Sequence, residues 1–341
     1  MNRSSVNLAV LASILFVVSH KTQSFAGEEL PAGATRRIHV ELDAGKEGLA
    51  SLAAFSDGNR IAFGTTDGRV VIYDVKQKKI TRQFGDRKSY VERVAVSPNG
   101  KRLAWVRDFE PVAVVDLSSG KEYKCPVDTE QVFIERLSFS PDGNRLAVLD
   151  DEAGAFVWSI GSATHWKSPQ RATTIGFFPD GKTVAVGFNS VRLLKPESGD
   201  LIRELSSVEG LVGGFAFLPS GRLAATDGSC RGSKLRIWDV KSGEQLAAHK
   251  LDRAHSTGDP LVQSPDGQVL VLTGHQRMQF LETKTGQILA TKSFRKRGSR
   301  RLAFIDSGRS FITIREGDSD ATIWDTAHVL GRALPLDENA R

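Results

Sequence analysis

One short turn, repeated seven times, constrains what this chain can fold into. It occurs as Ser56-Asp-Gly58, Ser97-Pro-Asn-Gly100, Ser140-Pro-Asp-Gly143, Phe178-Pro-Asp-Gly181, Leu218-Pro-Ser-Gly221, Ser264-Pro-Asp-Gly267 and Ile305-Asp-Ser-Gly308. The glycines are separated by 42, 43, 38, 40, 46 and 41 residues. In such a turn proline presets φ at the second position, aspartate suits the third, and glycine takes the left-handed φ that closes a hairpin.

Residues 134–159 show what one unit contains. Leu137 and Phe139 alternate with polar neighbours, the period of a half-buried strand. After the turn, Leu146, Ala147 and Val148 form a second strand, and Phe156 to Trp158 a third. A sheet this small cannot bury both its faces, so it needs neighbours. The repeats supply them. About fifteen residues after each turn an apolar strand ends, at Tyr73, Val115, Trp158, Leu194, Trp238, Leu281 and Trp324, usually with an acid following. A period near 40 with four strands per unit predicts an all-β chain, a seven-bladed β-propeller of four-stranded antiparallel blades.

The residues 36–326 resemble the WD-repeat family. Three units keep tryptophan at the end of the third strand, and Trp238-Asp239 and Trp324-Asp325 keep the full dipeptide. The family's Gly-His pair before the first strand is missing from every unit; Gly274-His275 falls instead in a turn between second and third strands. The resemblance implies a propeller that binds partners on the face carrying those turns.

Residues 1–26 read as a secretory signal: Arg3, an apolar run from Val6 to Val18, and small residues at Ser24 and Ala26. The run is shorter than the roughly 20 residues that span a bilayer, so no stable membrane insertion is expected once it is cleaved. The protein is therefore expected to be exported, to a periplasm or the extracellular space. Losing Arg3 and Lys21 lowers the formal net charge from +6 to +4. That is too mild to argue for nucleic acid, and no recognition helix is visible.

Residues 27–35 read as a linker. Arg36 to Leu42 alternates like a strand before any complete repeat begins, and is the expected closing strand of the ring; Gly331 to Leu336 is the competing candidate. The blades are expected at about 46–88, 89–131, 132–170, 171–208, 209–254, 255–296 and 297–326, with a C-terminal tail over 327–341.

Most chemical motifs fail on context. Gly176-Phe-Phe-Pro-Asp-Gly181-Lys182-Thr183 matches the P-loop pattern, but Pro179 has no N–H to offer a phosphate and Val184 continues as a strand. Gly228-Ser-Cys230-Arg-Gly232 resembles a nucleophile elbow but joins two strands. Cys125 and Cys230 fall in blades nearly across the ring, beyond disulfide reach. No two histidines stand at metal-ligand spacing. Glu316, Asp318 and Asp320 could hold calcium but lack the glycine and bidentate acid of a dedicated loop. Ala113 to Lys121 resembles the blade motif of pyrroloquinoline-quinone dehydrogenases, with Tyr123 and Lys124 following where those use tryptophan. No cofactor or metal is expected.

The densest charge lies between Lys292 and Arg301, which carries Arg295, Lys296, Arg297, Arg300 and Arg301. This stretch joins the outer strand of blade six to the inner strand of blade seven. The acids Asp128, Glu130, Asp150, Asp151 and Glu152 share its face, and the turn from Glu316 to Asp320 lies close enough to neutralise it. The five basic residues are the candidate partner-binding set. The expected function is a monomeric, non-catalytic protein-binding scaffold. The alternative is a lactonase- or hydrolase-like propeller enzyme with its site at the central channel, against which stand the mostly apolar and small residues of the inner strands.

Overall fold

The computed structural model describes residues 30–40, 48–86, 89–130, 132–152, 154–206, 208–229, 232–251, 261–273, 277–294 and 300–331. Seven four-stranded antiparallel sheets form a ring. Their inner strands are Leu49–Ala54, Val91–Val96, Ile134–Phe139, Thr174–Phe177, Leu211–Leu218, Leu261–Gln263 and Arg300–Ile305. In six blades the strands follow chain order from the inner to the outer edge. In the seventh the outer strand comes from the other end of the chain. Ala34–His39 pairs antiparallel with Asp320–Asp325, in a register running from Ala34 opposite Trp324 to His39 opposite Asp320. Ring closure by the N-terminal strand is thus as the alternation around Arg36 predicts.

The closing strand begins two residues earlier than expected because a turn organises its start. The Ala34 amide donates to the Pro31 carbonyl at 2.8 Å, and the Asp325 amide to the Gly33 carbonyl at 3.1 Å. At the C-terminus a short helix, Thr326–Leu330, opens the expected tail. Asp325 caps it by accepting from the His328 amide, and Gly331 ends it in the left-handed region. Residues 332–341, most of the competing closure segment, lie outside the described residues. Among the described residues no helix is long and apolar enough to cross a membrane.

The repeated turn does what its residues dictate. All seven glycines have φ between +67° and +88°, a region L side chains avoid. The Ser140 hydroxyl accepts from the Arg145 amide at 2.8 Å, and Asp142 accepts from the Asn144 amide at 3.0 Å. The side chains of the motif therefore satisfy backbone groups that the tight turn leaves unpaired.

The core lies between blades. Trp238, fully buried, packs with Phe178, Val191 and Leu193 of blade four and with Phe215 and Leu223 of its own blade. Its indole N–H donates to Ser206 Oγ at 3.0 Å. Trp158 and Trp324 hold the equivalent place at the interfaces of blades two with three and six with seven. Each third-strand tryptophan thus packs against the preceding blade, which is why the residue recurs at that position.

Candidate functional site

Each inner strand enters from the face built by the connections between blades and the turns between second and third strands. Three charged side chains stand at one level near that end. Arg93, Arg136 and Arg301 each lie seven residues before the hairpin glycine of their blade. Each is paired with the equivalent residue of the second strand: Val106, Leu149 and Ile314. The same level is filled by Ser51 in blade one, Thr174 in blade four and Gly214 in blade five. Position 260, the blade-six equivalent, lies outside the described residues.

The arginines are half-buried. Arg93 Nε donates to the Glu135 carbonyl at 2.7 Å and Nη1 to the Glu92 carbonyl at 2.8 Å, so its guanidinium lies across the edge of the neighbouring inner strand. Burial, and next the Arg301 charge, push its pKa down to about 10. Burial and Arg301 also lower that of Arg136. Arg301 belongs to blade seven, two and three blades away from its fellows, yet its charge acts on both, and the Tyr90–Glu316 hydrogen bond brings blades two and seven together at this end. A β-bulge in the inner strands of blades two and three, at Glu92 and Glu135, re-aims the residues at this level.

Carboxylates surround the arc, and most have other work. Glu92, 4% exposed, accepts from the Ile134 amide, and burial together with the neighbouring Asp108 pushes its pKa up to about 7. Glu316 accepts from the Tyr90 hydroxyl at 2.6 Å, bridging blades seven and two; burial and this carboxylate push the Tyr90 pKa up. Glu135 is exposed beside Arg93 and Arg136, and its pKa is raised by burial against the pull of both arginines.

The opposite end of the channel has another character. Leu52, Ala53, Val96, Val262, Leu302 and Ala303 help to line a cavity of about 1360 Å³ there. Ser97, Gln263, Ser264, Asp266 and Arg309 share this lining, so it is mixed in character.

An aromatic pair stands on the loop face. Phe109 and Phe133 are 68% and 53% exposed, and their ring centroids are 6.2 Å apart. They are the only aromatic side chains among the exposed large hydrophobics of the described residues. Phe109 has φ of +60°, unusual for a bulky residue. Its turn is held by Arg107, which pairs with Glu110 at 2.9 Å and Asp86 at 2.6 Å. The Phe133 backbone exchanges hydrogen bonds with Asp151, accepting at 2.9 Å and donating to its carboxylate at 3.1 Å.

The basic segment divides. Arg295, Lys296 and Arg297 lie outside the described residues. Arg300 is 9% exposed, its guanidinium 3.8 Å from the centre of the Phe294 ring, so the two ends of the connection stack on each other. Burial, and next Arg315, push its pKa down to about 10, with Asp318 opposing. Arg301 joins the channel arc.

The remaining motifs fall into the propeller frame. Gly176 is a strand residue opposite Ala185, and Gly181 closes the hairpin. Asp116 accepts from both hydroxyls and both amides of Ser118 and Ser119, wiring a turn. Glu316, Asp318 and Asp320 diverge, to Tyr90, Arg315 and His39. Cys125 is buried, which pushes its thiol up to about 11. Cys230, Gly274 and His275 lie outside the described residues.

Compared with known proteins, the chain matches no protein-family model. No curated protein matches it either.

Proposed function

We propose that this chain is an exported, WD-repeat-like β-propeller that acts as a non-catalytic scaffold for a protein partner, docked on the loop face. The observation that carries this reading is the Phe109–Phe133 pair. Two large apolar side chains in mutual contact and in water are costly to keep there, and contiguous exposed apolar surface marks interaction sites. Aromatic anchors held in place before binding lose little entropy when a partner closes over them. The Arg107 ion pairs and the Asp151 clamp supply that rigidity. The strained φ of Phe109 fits the same reading, since strain persists where it serves a site. Export rests on the leader-like residues 1–26, and the family resemblance on the repeats and Trp-Asp pairs.

The test compares mature wild type with the Phe109→Ser/Phe133→Ser double variant as baits under one condition. A partner recovered by wild type and lost by the double variant, with circular dichroism unchanged, supports the reading. Equal recovery by both baits overturns the aromatic pair as the anchor.

A further inference from the structure

We propose that the arc formed by Arg301, Arg93 and Arg136 at the loop end of the central channel is a binding site for an oxyanion, the phosphate or carboxylate group of a small polyanionic ligand. This site is separate from the aromatic pair and does not depend on it.

Three like charges drawn together in a half-buried place repel one another, and each has lost part of its water. A protein offsets such a cost with ion pairs or with a ligand. Among the described residues none of the three arginines forms an ion pair. The carboxylates on the surrounding elements are Glu92, Asp108, Glu135, Asp150, Asp151 and Glu316, and of these Asp150 accepts from the Gly154 amide and Asp151 from the Phe133 amide. Glu92 is spent on the Ile134 amide and sits beside Asp108. Glu316 is spent on Tyr90. Glu135 alone stands next to two of the arginines as an open counter-charge.

The donors are also underused. Arg93 is fixed by two bonds to backbone carbonyls, which leaves N–H groups of its fork unspent. The Arg136 side chain makes no hydrogen bond among the described residues. Arg301 Nε is buried without a partner, and so is Thr174 Oγ1 at the same level. A guanidinium presents a planar fork that matches the spacing of two oxygens in a phosphate or carboxylate. Small residues at the same level of blades four and five, Thr174 and Gly214, leave the far side of the channel without long side chains to fill it. An anion seated there would neutralise the repulsion and meet the unspent donors together.

The experiment uses the full mature chain with two probes, sodium pyrophosphate and sodium citrate, against sodium chloride at matched ionic strength. The expected result is a rise in melting midpoint of about 5 °C at a hundredfold excess over Kd, with one site per chain by calorimetry. A larger effect of pyrophosphate assigns a phosphoryl ligand, and a larger effect of citrate a carboxylate one. Arg136→Gln should weaken binding about ten- to hundredfold. It removes no hydrogen bond within the described protein, so the ligand-free midpoint should stay or rise. Arg171→Gln, a change at an arginine of the inter-blade loop facing Phe188, and Phe109→Ala should leave the anion response intact. The proposal is overturned if neither probe exceeds chloride, or if Arg136→Gln responds like wild type.

Discussion

Glu92 Oε2 accepts a hydrogen bond of 2.7 Å from the Ile134 amide, tying the inner strand of blade two to that of blade three at the loop end. The carboxyl is buried beside Asp108, and its pKa stands at about 7, raised from 4.5. A raised acid means that the folded protein holds a proton the unfolded chain releases. The stabilising contribution is full below about 4.5 and is lost as pH rises through 7.

Stability is therefore expected to fall between pH 5 and pH 8, by about 1–3 kcal/mol from this group. Glu92→Gln keeps an acceptor for the Ile134 amide and removes the titration. Urea midpoints at pH 5, 6, 7 and 8 check this: wild type should decline across the series and Glu92→Gln should be nearly flat. Parallel declines would assign the pH dependence to other groups.

A second expectation concerns Trp238. The side chain is fully buried between blades four and five, and its N–H is satisfied by Ser206. Trp238→Ala should cost about 3–5 kcal/mol, a large part of the ~5–15 kcal/mol of a typical domain. Denaturant unfolding measures it. A loss under about 1 kcal/mol would contradict the packing described.

The frame was readable in the sequence because each of its rules is local. Gly143 and its equivalents announce a left-handed turn, Trp158, Trp238 and Trp324 mark third strands, and Arg36 to Leu42 alternates without a blade to belong to. The arginine level is not legible in the chain taken locally, although its signal is present. Arg93, Arg136 and Arg301 look like the polar partners of Val94, Leu137 and Leu302 in ordinary alternation. Their shared offset of seven residues before a glycine gains meaning only once the ring brings distant blades to one axis. Phe109 and Phe133 carried no local signal at all, since exposure of an isolated loop phenylalanine is decided by what folds around it. The charge density of residues 292–301 was plain, but Arg300 stacks on Phe294 and Arg301 turns to the channel, a split that composition does not reveal.

Ring closure gives a third expectation. Ile38 and Val40 of the closing segment belong to the cluster shared with Ile312, Ile314 and Ile323, so the strand carries core as well as hydrogen bonds. Removing residues 27–44 opens the ring and should lower the melting midpoint far more than removing 332–341. Calorimetry of the two truncations decides it; the reverse ranking would assign closure to the C-terminal segment.

The last expectation concerns the connection between Phe294 and Arg300. These two residues stack, so the described ends of the connection that carries Arg295, Lys296 and Arg297 in sequence meet on the loop face. Charges on such a connection act on an acidic partner mainly through encounter, and are screened over ~8 Å at physiological salt. Changing Arg295, Lys296 and Arg297 to glutamate should weaken a recovered complex several-fold by slowing association. The wild-type complex should weaken with added salt in the same way. Melting is expected to move by less than about 1 kcal/mol of stability, the scale of a surface charge contribution. Lys76, Lys79 and Lys101 are exposed on the opposite face, so the same reversal there is the control. Association rates measured across a salt series separate the outcomes. Equal binding by both triple variants would reduce the segment to a solvated connection, whereas loss confined to the control would place the partner on the hairpin face.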